Sequence, residues 1–288
     1  MRSALVALVA AIALPGCAGT RSPAPPASAG VAAERARPAI DVPRTASQGA
    51  LVIGRVAPGT RVEFAGRELG VAPDGRFVFG VARDAQGRLP LQLTSAGGTQ
   101  DSLEITVTPR AWPIERIDGV PPATVTPPPA IAARIAAEQA RVTDARRRDD
   151  PREDFLARFV WPVQGRISGR FGNQRVYNGS AGAPHSGMDI AAARGTPVHA
   201  PAAGVITFAD PDLYLTGGTV LLDHGRGVSS NFLHLSRIDV RVGDRVEQGQ
   251  VIGAVGATGR ATGPHLHWGM NWFDVRIDPL LVLETPPR

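Results

Sequence analysis

The sequence predicts a mainly β protein, in which two β-rich regions are joined by a proline-rich stretch and one helix. Three observations carry that prediction. Short apolar runs alternate with polar residues at period two on both sides of the chain's middle, the mark of half-buried strands. Glycine is abundant, 33 in 288 residues, and clusters between those runs where chain reversals belong. Helical spacing is confined to Ala130 to Arg147, where Ile131, Ile135 and Val142 lie near one face among Ala, Glu and Arg.

The elements follow in order. Arg2, the apolar stretch Ala4 to Leu14 and the closing Gly16-Cys17 have the layout of a cleaved export signal over 1–17, too short to span a membrane. A small residue before a lone Cys resembles the bacterial lipoprotein cleavage box, which implies membrane attachment through a lipidated Cys17. Residues 18–48 are rich in Pro, Ala and Ser. They bury too little to offset their ordering entropy, so a tether is expected. Over 49–108, Leu51/Ile53, Val62/Phe64, Phe77/Phe79/Val81, Leu89/Leu91/Leu93 and Leu103/Ile105/Val107 alternate, with turns at Pro58-Gly59, Asp74-Gly75 and Gly97-Gly98. Such spacing predicts a small β-sandwich, similar in pattern to bacterial immunoglobulin-like modules, and its lack of chemical clusters suits a spacer or docking module. Residues 109–158 hold an irregular proline-rich linker, Pro109 to Pro129, and then the helix, which starts directly after Pro127-Pro128-Pro129. Residues 159–284 form the second β region.

Composition excludes several chemistries. All 31 basic side chains are Arg and none is Lys, so Schiff-base, phosphate-loop and lipoyl or biotinyl chemistry are ruled out. With one Cys, so are disulfides, Cys-ligated zinc and a downstream Cys nucleophile. The net charge of +5 is concentrated in the tail: residues 1–48 carry +3, 49–108 are neutral, and 109–151 and 152–288 carry +1 each. No folded face is strongly basic, which argues against nucleic acid as a partner.

All six histidines lie between residues 185 and 267. In His185-Ser186-Gly187-Met188-Asp189 the two potential ligands share strand parity, and Gly187 lets the backbone bend so that both can converge. In His265-Leu266-His267 the imidazoles share a face while Leu266 and Trp268 take the other. An imidazole pair plus a carboxylate suits zinc, and three protein ligands leave a fourth position for water. Either short motif alone is common on ordinary surfaces. Their conjunction in one glycine-rich domain, with His234 in Asn231-Phe232-Leu233-His234-Leu235-Ser236, is far rarer. No His-Glu-x-x-His occurs, so a histidine must act as base, and a pKa near ~6.5 suits that task. Whichever of His265 and His267 binds the ion, the other, one strand alternation away, stays close to it. His224, after an apolar strand, reads as structural, and His199 as a half-exposed strand position. Gly253 to Gly263 reads as β-turns, and Val242 to Gly253 resembles turns of lipoyl carriers without the lysine that would be modified.

The stretch Trp161 to Pro279 resembles the lysostaphin/LytM-type zinc metallopeptidase family, whose members cut peptide bonds in peptidoglycan. The matching residues run in order: Trp161-Pro162-Val163, Phe171-Gly172, His185 to Asp189, Gly195-Thr196-Pro197-Val198, Asp223-His224-Gly225, His234-Leu235-Ser236, Val242-Gly243-Asp244, Thr258-Gly259 and Gly263 to His267. The resemblance implies that His185, Asp189 and His267 bind one zinc ion. His265 and His234 would handle protons and stabilise the transition state, and the fold would be a compact antiparallel β-sheet with a groove. Phe232 departs from a Tyr frequent in the family, so it is given no chemical role.

The expectation is therefore an exported zinc endopeptidase acting on peptidoglycan peptide stems from a membrane-anchored, periplasmic position. The alternative is a catalytically inactive family member that binds the wall and activates an amidase. All five positions hold competent residues, which favours activity. A structural zinc staple, the third reading, would close the fourth coordination position.

Overall fold

A computed structural model describes residues 40–284; the expected export segment, Cys17 and most of the expected tether lie outside these residues. The N-terminal module contains β1 (Thr45–Ser47), β2 (Leu51–Arg55), β3 (Arg61–Phe64), β4 (Arg67–Leu69), β5 (Arg76–Gly80), β6 (Arg88–Thr94) and β7 (Gln100–Thr108). Five of them form a sheet in the order β1-β7-β6-β3-β4, and β2 and β5 form a separate two-stranded antiparallel sheet. Period-two patterning places Val62, Phe64, Leu91, Leu93, Leu103, Ile105 and Val107 inward, all buried. Ordered strand begins before residue 49: β1 pairs in parallel with β7, Thr45 against Thr106.

The linker departs from the irregular path that its prolines suggest. Ile114-Glu115-Arg116-Ile117 is free of proline, keeps its N–H donors, and forms β8 (Ile114–Ile117). A short helix, α1 (Pro122–Val125), follows, then α2 (Pro129–Ala145). A proline opens α2, where its missing N–H is not needed. The helix packs Val142 and Ala145 against Phe208, Leu213 and Leu221.

The C-terminal region supplies β9 (Arg166–Gly169), β10 (Gln174–Tyr177), β11 (Ser180–Ala181), β12 (Met188–Ala191) and β13 (Pro197–His199). The long hairpins follow: β14 (Gly204–Leu213), β15 (Gly217–Gly225) and β16 (Val228–Leu235). After β17 (Arg237–Ile238), β18 (Arg245–Val246) and β19 (Val251–Ala254) come β20 (His265–Trp272), β21 (Val275–Ile277) and α3 (Pro279–Glu284). The main sheet is antiparallel, in the order β18-β14-β15-β16-β20-β12-β9. The other edge of β20 is shared: β12 pairs with its first half and β21 with its second. β8 joins the small sheet β11-β10-β8 in parallel register with β10.

The rear face of β20 carries Leu266, Trp268, Met270 and Trp272, all buried. The N-terminal module packs there. The Phe64 ring lies 6.2 Å from Trp272. A Cβ at Gly80 would sit 2.8 Å from Ile277 and 3.0 Å from Trp272, so only glycine lets β5 approach this closely. Both β regions share one apolar core. Arg110 donates to Asp278 at 2.7 Å across the same junction. The histidine face of β20 is thus left to the linker, α2 and the loops.

Candidate metal centre

Strand alternation sets His265, His267 and Asn271 on one face of β20. Asp189 stands directly opposite His267 in the β12–β20 ladder and shares that face. His185 does not arrive by strand parity; it lies in the loop before β12. Backbone hydrogen bonds seat it: its N–H donates to the Asn173 carbonyl (2.8 Å) and its carbonyl accepts from Gly172 N–H (2.9 Å). The glycine between the two ligands supplies clearance. A Cβ at Gly187 would stand 2.5 Å from the Trp268 carbonyl and 2.7 Å from His267 Nε2.

Three donor atoms converge. His185 Nε2 lies 3.0 Å from Asp189 Oδ1 and 3.0 Å from His267 Nδ1, and His267 Nδ1 lies 2.8 Å from Asp189 Oδ1. His185 Nδ1 donates to the Arg170 carbonyl (3.0 Å), so its Nε2 lone pair faces the centre. His267 Nε2 is buried without a hydrogen-bond partner among the described residues. With its proton on Nε2, all three atoms facing the centre present lone pairs, an arrangement that is compact only around a cation. Tetrahedral bonds of ~2.0–2.1 Å imply donor–donor edges near ~3.3 Å. The triangle therefore fits a small divalent ion after opening by ~0.3–0.5 Å.

A second set of contacts orients the carboxylate. Arg175 donates to Asp189 Oδ2. Glu115 on β8 accepts from Arg175 Nε (3.4 Å) and from Asn173 Nδ2 (2.6 Å). The linker strand thus reaches the metal centre through two charges. Neither residue emerged from the sequence analysis. Arg175 follows the matching Phe171-Gly172 by three residues, whereas Glu115 becomes visible only once β8 pairs with β10.

His234 and His265 complete the site. Their ring centroids are 4.8 Å apart, and His265 Nε2 lies 3.9 Å from Asp189 Oδ1. Alternation along β16 would send His234 to the apolar face with Phe232, since Leu233 opposes His267. Instead His234 adopts φ 63°, a left-handed conformation for a residue with a Cβ, and turns to the histidine face. Such a residue costs of order 1–3 kcal/mol, and it persists where surrounding contacts hold it. Here the His234 N–H donates to the Thr216 carbonyl (2.8 Å) and Nδ1 to the Thr258 carbonyl (2.8 Å). His265 Nδ1 donates to the Gly263 carbonyl (2.8 Å). Both rings therefore aim Nε2 lone pairs outward from their anchors.

Charge follows from burial and neighbours. Burial alone would raise the Asp189 carboxyl, but its two imidazole neighbours, His185 and His267, outweigh burial and set it well below the usual carboxylate range. Burial, opposed by Asp189, pushes His267 down to about 3. Burial and then His265 push His234 down to about 4. Both rings are neutral at pH 7, the form that offers a lone pair. His224 is fully buried, with Nδ1 on the Ala203 carbonyl (2.8 Å) and Nε2 on Ser230 Oγ (2.9 Å), a structural position. His199 is half-buried on β13. Phe232 lies in the core opposite Trp268, away from the site.

A β-sheet presenting a His–Asp–His cluster beside two further histidines defines a metallopeptidase type of centre. Comparison with known proteins agrees. The family model for peptidase family M23 matches residues 183–279. A solved Pseudomonas aeruginosa chain assigned to peptidase M23 is 32% identical and superposes with a TM-score of 0.65, over 82% of this chain and 94% of that one. The peptidoglycan DD-endopeptidase ShyA of Vibrio cholerae is 42% identical over 104 residues, 36% of this chain and 24% of that one. The DD-carboxypeptidase/endopeptidase Mpg of Neisseria gonorrhoeae is 45% identical over 103 residues, 35% and 24%. The cell division protein DipM of Caulobacter vibrioides is 32% identical over 169 residues, 55% and 26%. The chain spans about a quarter of the length of these curated relatives. The chain belongs to peptidase family M23.

Proposed function

We propose that this protein is an exported zinc endopeptidase that hydrolyses peptide cross-bridges of peptidoglycan, held at a bacterial envelope through a lipidated Cys17. One observation carries the reading: three lone-pair atoms converge within 3.0 Å of one another, with two more imidazoles packed beside them. His185, Asp189 and His267 would hold the ion. Bound zinc supplies Lewis acidity toward a peptide carbonyl and lowers the pKa of a water to ~7.

The chain's own groups then perform the remaining work. Arg175 and Glu115 hold the Asp189 carboxylate in one orientation, and the Arg170 carbonyl holds His185 in one tautomer. His265, the imidazole with Nε2 3.9 Å from Asp189 Oδ1, is placed to take the proton from the attacking water. His234, kept neutral by burial with its N–H on the Thr258 carbonyl, stands beside it with Nε2 free to receive that same proton from His265 and hand it to the departing amine. A proton held by either ring is also the donor that the developing oxyanion needs.

Digestion of purified peptidoglycan, with masses of the released fragments, tests the reading. The expected result is amide cleavage that is lost with chelator, restored by zinc, and absent in His267→Ala. Cleavage that survives both treatments contradicts it. A zinc-loaded protein that cuts nothing but stimulates an amidase transfers the case to the inactive wall-binding alternative.

A further inference from the structure

The histidine face of the sheet carries a second polar cluster that the proposed chemistry leaves unused. Arg276 on β21 stands opposite Asn271 in the β20–β21 ladder, and Asn271 follows His267 by two strand alternations. Arg276 therefore shares the face of the metal ligands. Its Nη1 donates to Asn271 Oδ1 (3.2 Å), which also accepts from Asn231 Nδ2 (3.3 Å). Arg146, just past the end of α2, enters the same region, and its Nε is buried without a hydrogen-bond partner. Asn271 Nδ2 is a second buried donor without one.

Among the described residues, neither guanidinium has a carboxylate at ion-pair distance. Burial, and then the charge of Arg276, push Arg146 down to about 9; burial lowers Arg276 as well. Two half-buried like charges beside unused donors form an unfavourable arrangement that an anion would relieve. The opening is present. A cavity of about 300 Å³ is lined by Arg146, Arg276, Asn231, Leu233 and Ser186, and by Glu138, whose carboxylate is engaged by Arg134 and the Tyr214 N–H. Ser186 adjoins His185 and Leu233 opposes His267, so one end of the cavity approaches the metal ligands, which do not themselves line it.

Length identifies what would span it. Four residues of β20 separate His267 from Asn271, ~13 Å at ~3.3 Å per residue. That is the reach of about four extended peptide residues. Guanidinium groups match carboxylates bidentately, and peptide stems present carboxylates at their free ends and on acidic side chains. We infer that Arg276 and Arg146 form a carboxylate-binding subsite, which grips a free carboxylate of the peptide stem whose amide bond lies at the histidine centre. The identity of that peptide rests on the function proposed above.

The test uses the whole protein and a synthetic, uncross-linked stem tetrapeptide in two forms, one with free carboxylates and one with all carboxylates amidated. Calorimetric titration should show the acid form binding at least ~10-fold tighter, the scale of charged hydrogen bonds. Arg276→Gln and Arg146→Gln should each remove ~10-fold from the acid form and leave the amide form unchanged. Without peptide, the unfolding temperature of each variant should hold or rise, because one of two like charges is gone. Equal binding of the two forms, or no binding of either, overturns the subsite. So does a pair of variants that lower the unfolding temperature and weaken both forms alike, since that marks a structural role. Cleavage is read separately. Selective acid binding by a protein that cuts no wall leaves the subsite standing and removes the peptidase reading. Equal kcat/KM on acidic and amidated cross-linked peptides does the reverse.

Discussion

Along β20, neighbouring residues answer to different physics. Leu266, Trp268, Met270 and Trp272 point rearward into the shared core, where apolar area and close packing decide the fit. His265, His267 and Asn271 point forward among polar groups, and remote elements set their neighbourhood. The Gly263 carbonyl orients His265, the Arg170 carbonyl orients His185, and Arg175 with Glu115 orients Asp189. One strand thus carries stability on one side and chemistry on the other, and substitutions on the two sides should separate the two properties.

The largest effect is expected on the forward face. His267→Ala should cut hydrolysis by ~10³-fold or more, since a bound ion supplies several kcal/mol of transition-state stabilisation. The unfolding midpoint of the metal-free protein should barely move. Trp268→Ala, one residue away, should do the opposite. It is fully buried, with Nε1 donating to Ser230 Oγ at 3.2 Å, and truncation should cost about 3–5 kcal/mol in urea unfolding. Zinc stoichiometry should stay at one. If Trp268→Ala abolishes zinc binding while the protein remains folded, the two sides are not separable.

Next comes a pH effect from the rear side. His224 bonds the same Ser230 hydroxyl, and burial pushes it down to about 4 from an ordinary 6.5. Above pH 6.5 the ring is neutral in folded and unfolded chains alike. Between pH 6.5 and 4 the unfolded chain takes up the proton and the folded one does not, so stability falls as pH drops and levels off below 4. The difference is about 3 kcal/mol. Urea unfolding of the metal-free protein across this range, compared with His224→Gln, should show that part of the slope disappearing in the variant. An unchanged slope would remove His224 from the account.

The smallest effect sharpens the forward side. Arg175→Gln should weaken zinc binding by ~10–100-fold, and Glu115→Gln by less, in chelator competition. Both should retain the fold. Unchanged affinity in Arg175→Gln would mean that the carboxylate needs no outside alignment.

This division also explains what was legible in the sequence. The pairing of His265 with His267, and their separation from Leu266 and Trp268, follows from strand periodicity within four residues. The apolar runs of the N-terminal module were readable for the same reason. Other features depend on contacts between distant segments. β8 was hidden among prolines because its strand character comes from pairing with β10, some 60 residues later. His185 converges through backbone bonds to Gly172 and Asn173, not through the parity that the local spacing suggested. His234 would have been assigned to the core by alternation, and a left-handed φ at that residue reverses the result. Arg276 stood unmarked because helix and hairpin meet only in three dimensions.

The central claim is that the forward face gathers His185, Asp189 and His267 around one ion with a position left for reactants. Zinc K-edge X-ray absorption on the metal-loaded protein, with metal content measured per chain, tests it most directly. The account predicts one zinc per chain, bound by two imidazole nitrogens, one carboxylate oxygen and one exchangeable water-type oxygen. A site saturated by four protein donors, or a chain that retains no zinc in its folded state, would contradict it.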